Sequence, residues 1–292
     1  MAKRVIHTAE LTNGGALPLH DCLARLGFSG YEARIEQTLR ECEEKDVMML
    51  PRQVLTETLN DIIAARDEQK AMMRTKMARF PVTTQTIETF DFSRLPDKLI
   101  ELKIREFAGC DWVRSHSNLF LCGNPGLGKT HLSIALGIRA TQKAYSTLFI
   151  PAKDLFAELN AARQDSTYER KLKTIQRNEV LIIDDLSSAI APSPENAMIF
   201  YDLLDGRQNR KSTIITSNRT ILDWIQIIGG DPTCLRAAID RFLDSCHVIR
   251  LKGKSYRLRR FTERQQEDWG SNTPQDDKQT KELLNELTEA LD

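Results

Sequence analysis

Gly123-Asn124-Pro125-Gly126-Leu127-Gly128-Lys129-Thr130 is the stretch that decides the fold. It fits G-x-x-x-x-G-K-[ST], follows an apolar run over 118–122, and opens a helical pattern over 129–143. Its glycines let the backbone turn tightly with amide N–H groups facing inward, and the N-terminus of the following helix adds partial positive charge. Lys129 can then reach the outer phosphates of a nucleotide, while the Thr130 hydroxyl can ligate Mg²⁺. The residues read as nucleotide-contacting are Gly123, Asn124, Pro125, Gly126, Leu127, Gly128, Lys129, Thr130 and the adjoining His131.

Outward from this loop, short apolar runs at 118–122, 146–150, 180–184, 213–216 and 247–251 alternate with helical patterns at 129–143, 153–162, 195–210, 221–228 and 234–243. Such alternation predicts repeated strand–helix units, hence an α/β fold whose five parallel strands are covered on both faces. The run Val180-Leu181-Ile182-Ile183-Asp184-Asp185 reads as a buried strand ending in two carboxylates, and strand C-termini face the ligand crevice of a parallel sheet. Asp184 suits the Mg²⁺ shell and Asp185 suits an attacking water. The run 213–218 ends in Ser217-Asn218, where the amide could position water near a terminal phosphate; a helix cap or turn is the other reading of that pair.

The 292 residues carry 41 basic and 41 acidic side chains and are 41% hydrophobic, which excludes disordered, collagen-like and wholesale polycationic classes. No run reaches the ~18–20 apolar residues of a membrane span, and the N-terminus lacks a signal-peptide core, so a cytoplasmic protein without membrane contact is expected. The six cysteines stand singly, which suits reduced thiols better than a zinc site or a disulfide framework; Cys122 and Cys246 sit in apolar runs and read as buried structural residues. Residues 1–79 form a helix-rich zone that Pro51 divides, residues 80–262 hold the α/β pattern, and residues 263–292 read as a mostly mobile tail. Arg66, Lys70 and Arg74 recur at i, i+4 and i+8 on one helical face and could follow a phosphate backbone, or form a solvated face; the basic segment 250–260 is a second such candidate. The tail holds nine acidic against three basic residues, and Leu283, Leu284, Leu287 and Leu291 could line one face of a short partner-docking helix.

The runs FLCGNPGLGKTHLSIALG (120–137), VLIIDDL (180–186), STIITSN (212–218) and AAIDRFLDSCHVIRLKGKSYRLRR (237–260), with ARFPVTTQTIETFDF (78–92) upstream, resemble the IstB/DnaC-like AAA+ ATPases, and most of all the IstB-type transposition helpers. The resemblance implies an AAA+ P-loop three-layer sandwich with a five-stranded parallel sheet, preceded by a small all-α N-terminal domain. It makes 123–130 the Walker A loop and Asp184 with Asp185 the Walker B pair. It also makes Asn218 the sensor I residue, Arg241 an arginine finger acting on a neighbouring subunit's nucleotide, and Arg257 the sensor II position. IstB-type chains commonly carry Asp-Glu where Asp184-Asp185 stands here, a carboxylate one methylene shorter. The implied activity is hydrolysis of ATP with Mg²⁺ to ADP and phosphate as an assembly switch. The implied partners are duplex DNA, a transposase and further copies of the chain. A helicase loader of DnaC type shares the same core, and a metabolic P-loop kinase would share the phosphate loop without needing the trans-acting arginine.

Overall fold

The computed structural model describes residues 21, 23–24, 27–44, 51–187, 190–253 and 255–257. The acidic tail and its leucine face, like residues 258–260 of the basic segment, lie outside the described residues. The chain divides between Gln69 and Lys70 into two compact units.

In the first unit, helix α1 spans Glu32–Glu44 and helix α2 opens at Pro51 within Pro51–Met77. Proline is well placed there, because its fixed φ suits the first turn and its missing N–H would have had no intrahelical partner. Leu23, Ile35 and Ile62 bury one another, with Phe28 and Tyr31 packed alongside.

The second unit is a five-stranded, wholly parallel sheet. It comprises β1 (Asn118–Cys122), β2 (Thr147–Pro151), β3 (Val180–Asp184), β4 (Ser212–Ser217) and β5 (Cys246–Arg250), in spatial order β2-β3-β4-β1-β5. Side chains alternate between the sheet's faces with the period of two that a strand imposes. Leu119, Leu121, Phe149, Val180, Ile182, Ile214 and Ile249 enter one core. Phe120, Leu148, Ile150, Leu181, Ile183 and Ile215 enter the other. The first core is covered by α3 (Lys98–Phe107), α4 (Asp111–Arg114) and α5 (Lys129–Gln142). The second is covered by α6 (Ala152–Gln164), α7 (Tyr168–Gln176), α8 (Pro194–Asp205), α9 (Trp224–Ile228) and α10 (Pro232–Leu243). The three layers are therefore helices, sheet and helices.

Two helices differ from their sequence patterns. The pattern over 195–210 stops at Asp205, because Arg207 turns inward, wholly buried, and donates to Thr213 Oγ1 (3.0 Å) and to the carbonyls of Gln176 (3.0 Å), Asn178 (2.8 Å) and Ser212. The pattern over 221–228 divides into a 3₁₀ turn, Ile221–Asp223, closed by a reciprocal Thr220–Asp223 capping box, and the short α9. Helices α3, α4 and α7 had no counterpart among the anticipated elements. α7 buries only Leu172 and Ile175, too sparse a stripe to mark a helix by periodicity. Among the described residues no helix is long and apolar enough to cross a membrane.

The thiols of Cys110, Cys122, Cys234 and Cys246 are all free. Cys122 and Cys246 are partly rather than fully buried, since β5 is an edge strand whose outer face, including Val248, is open.

Candidate nucleotide-binding site

The phosphate loop leaves the sheet at the C-terminal end of β1, between β4 and the edge strand β5, and enters α5 at Lys129. Gly126 and Gly128 are among the glycines that the backbone of this loop requires. Gly126 has φ +81°, and a Cβ there would meet Ser255 Oγ at 2.2 Å; Gly128 has φ +87°, and a Cβ there would meet Phe90 Cε2 at 2.5 Å. Lys129 folds back across the loop, its Nζ donating to the carbonyls of Gly123 (2.8 Å) and Asn124 (2.9 Å). Burial pushes its ammonium pKa down, while the carboxylates of Asp185 and Asp184 pull it back up.

The sheet order brings the second half of the site to the loop. Strand β4 lies between β1 and β3, so Thr216 of β4 stands beside Asp184 at the end of β3. Asp184 accepts from Thr216 Oγ1 through Oδ1 (2.8 Å) and from Thr130 Oγ1 through Oδ2 (3.0 Å), which ties the loop to the strand. Burial raises the Asp184 pKa from its ordinary value, and the two hydroxyl donors only partly offset it. Asp185 turns off the strand at φ +56°, a left-handed conformation that Asp adopts more readily than most residues, and its N–H donates to Thr216 Oγ1 (2.8 Å).

A cavity of about 570 Å³ opens over this arrangement. Its walls include the loop from Pro125 to Thr130, His131, Asp184, Asp185, Thr216, Asn218 and Arg257. Residues spread over more than a hundred positions are thus brought to one hollow. Asn218 follows the end of β4, and Arg257 is held near by the Tyr256 N–H, which donates to Gly126 O (3.0 Å). Gly123 and Asn124 face a neighbouring cavity of about 560 Å³ instead, across Leu127 and Asn218, which line both.

Sequence reasoning did not assign the linker upstream of α3 to the site, yet Gln85, Thr89, Phe90 and Asp91 form a wall of the same cavity. The linker is fastened by His131, whose Nε2–H donates to Thr86 O (2.8 Å) and lies 3.3 Å from Thr89 Oγ1, with Phe90 set edge-on at 5.2 Å. Its beginning is also anchored, since the buried Ala78 accepts from the Phe149 N–H of β2 (2.8 Å). The available signal was the aromatic pair in Phe90-Asp91-Phe92, a cluster too polar in its surroundings to be a core strand.

Arg241 does not line the cavity. It sits in the last turn of α10 and is engaged by α8, with Asp205 (2.8 Å) and the Tyr201 hydroxyl (2.9 Å) as acceptors. Of the proposed DNA contacts, Arg66 belongs to the first unit, its guanidinium 4.6 Å from the Phe28 ring centre and 5.5 Å from that of Tyr31. Lys70 and Arg74 fall in the second unit; Lys70 is exposed and Arg74 half-buried.

Residues 21–264 match the family described as IstB-like ATP binding protein. The chain is 35% identical over 238 residues to an ATP-binding protein of insertion sequence IS21 from Pseudomonas aeruginosa, covering 81% of this chain and 87% of that one. It is 36% identical over 195 residues to the ATP-binding protein of insertion sequence IS5376 from Geobacillus stearothermophilus, covering 66% and 76%. Among solved structures, a DNA replication initiation factor aligns with TM-score 0.51 at 18% identity, covering 72% of this chain and 60% of that one; this likeness concerns the fold alone. With a glycine-rich loop leaving β1 of a five-stranded parallel sheet, helices on both faces of that sheet, and a family match across most of its length, the chain belongs to the IstB-like ATP binding proteins of insertion sequences.

Proposed function

We propose that this chain is an ATP-hydrolysing assembly factor for transposition, which oligomerises on duplex DNA in its ATP-bound form and recruits or stimulates a transposase. The observation that carries the reading is the meeting of the phosphate loop, the Thr130–Asp184 pair, Asp185, Asn218 and Arg257 around one cavity, in a chain whose relatives come from insertion sequences.

The donor set suits Mg²⁺, which prefers a few hard protein oxygens together with substrate phosphates. Thr130 and Asp184 would hold it; bound there, it supplies positive charge to the phosphate oxygens. Lys129 exchanges its loop carbonyls for the outer phosphates, and Arg257 adds a second cation. Asp185 takes a proton from the attacking water, which Asn218 helps to orient, and ADP and phosphate result. Because Asp185 is one methylene shorter than Glu, its carboxylate works from the reach that its left-handed backbone sets. Arg241 acts on a neighbouring copy's nucleotide, which makes ATP part of the subunit interface and hydrolysis a timer for disassembly.

DNA affinity in this reading comes from phosphate contacts. Arg66, Lys70 and Arg74 are candidates, and Arg219, Arg250 and Lys252 are others: all three line the 560 Å³ cavity, and none forms a salt bridge among the described residues. The test is a size measurement by mass photometry with duplex DNA, single-stranded DNA or none, each with a non-hydrolysable ATP analogue or ADP. A larger assembly specific to duplex DNA and the ATP analogue is expected. A monomer under every condition overturns the reading, and a preference for single strands moves it toward a helicase loader.

A further inference from the structure

We propose that Tyr201 and Asp205 are positioning residues that preset Arg241 for insertion into a neighbouring copy's nucleotide site. The inference rests on the reading above that Arg241 acts between subunits. Its physical basis lies in the packing of α8 against α10. Tyr201 and Asp205 stand one helical turn apart on α8, and Arg241 lies in the last turn of α10. Arg241 Nε donates to Asp205 Oδ1 (2.8 Å), Nη2 donates to the Tyr201 hydroxyl (2.9 Å), and Nη1 donates to the carbonyl of Ala237 one turn back (3.0 Å). The guanidinium carbon also lies 4.6 Å from the centre of the Tyr201 ring.

A guanidinium carries five N–H donors. Three are taken here, so each terminal nitrogen keeps one N–H, and with 27% of the side chain accessible these can meet a ligand brought by another molecule. Paired N–H groups on a flat, permanently charged fork are the geometry that a phosphoryl group accepts best. An unanchored arginine would lose several rotatable bonds' worth of freedom on reaching a phosphate. One already held by two side chains and a carbonyl loses far less. Stability alone accounts poorly for so many anchors on one side chain, because an ion pair with half-exposed Asp205 adds little to folding.

The experiment separates finger-receiving from finger-giving chains. Arg241→Ala keeps its own nucleotide site and lacks the finger; Asp185→Asn keeps the finger and the nucleotide but turns over poorly. Mixed on duplex DNA with ATP and Mg²⁺, the two should regain turnover that neither shows alone. Adding Tyr201→Phe and Asp205→Asn to the Asp185→Asn donor should cut the regained turnover by about tenfold or more, with the receiver's half-saturating ATP concentration unchanged. Donor melting temperature and its binding of a fluorescent ATP analogue should stay near those of Asp185→Asn, and Asp205→Glu should restore part of the loss. Full or increased turnover from the doubly altered donor overturns the positioning role while leaving the finger intact. If the unaltered donor restores nothing although mixed oligomers form, the finger reading itself fails and the positioning role falls with it.

Discussion

Lys129 and Asp184 show how two short sequence motifs acquire their chemistry from burial. Lys129 is held against the loop carbonyls, and its charge balances Asp184 and Asp185 across the cavity. Lys129→Ala should therefore weaken nucleotide binding at least about a hundredfold, close to 2.7 kcal/mol, in a titration with a fluorescent ATP analogue. Asp184 presents the opposite case. Its folded-state pKa is raised, mainly by burial, so the folded chain holds this proton more tightly than the unfolded chain does. The stability it contributes is complete below the ordinary carboxylate range and is lost as pH rises through the raised value. At neutral pH, without Mg²⁺, burying this carboxyl costs stability, because it ionises more easily in the unfolded chain. Asp184→Asn should then melt about 2–4 °C higher in Mg²⁺-free buffer at pH 7.5 while losing Mg²⁺-dependent nucleotide affinity. A clear drop in melting temperature would contradict this assignment. These two positions were legible in the sequence because each motif specifies residue type and spacing around a chemical task. The hydroxyl of Thr216 that fixes Asp184 was not legible, since it sits 32 positions away and meets the carboxylate only across strands.

At the scale of elements, the strands were readable because burial on both faces turns them into continuous apolar runs. Polar elements were harder to see. α7 has two buried side chains, and the end of α8 depends on Arg207, a charge that sequence logic places outside. Arg207 is instead enclosed by three carbonyls and the Thr213 hydroxyl, linking the end of α7 to the start of β4; burial lowers its pKa to about 9. Arg207→Ala would strand these acceptors in a dry site. It should destabilise the chain by roughly 3–5 kcal/mol in urea unfolding, while the exposed Arg210→Ala should change stability by less than about 0.5 kcal/mol. The linker that walls the cavity escaped notice for a related reason: its order comes from His131, Phe149 and the phosphate loop rather than from any periodicity of its own.

For the whole molecule, the decisive feature is that the proposed finger, Arg241, lies outside the cavity that its own chain builds. A site completed by a neighbour has kinetics that depend on encounter. The ATPase rate per chain should therefore rise with protein concentration before levelling off, and Arg241→Ala should flatten that dependence while leaving nucleotide affinity near its original value; a rate per chain independent of concentration would remove the intersubunit arginine. The sequence by itself determined the α/β class, the phosphate loop, the two carboxylates and the strands, because those depend on local spacing and on hydrophobic burial, which a chain displays in its order. Only the tertiary structure decided that β4 separates β1 from β3, that Thr216 bridges to Asp184, that Phe90 closes over Gly128, and that Tyr201 and Asp205 grip Arg241. Each of these joins segments remote in the chain through contacts that exist only once the sheet order and helix packing have formed, and no local pattern of residues encodes that order.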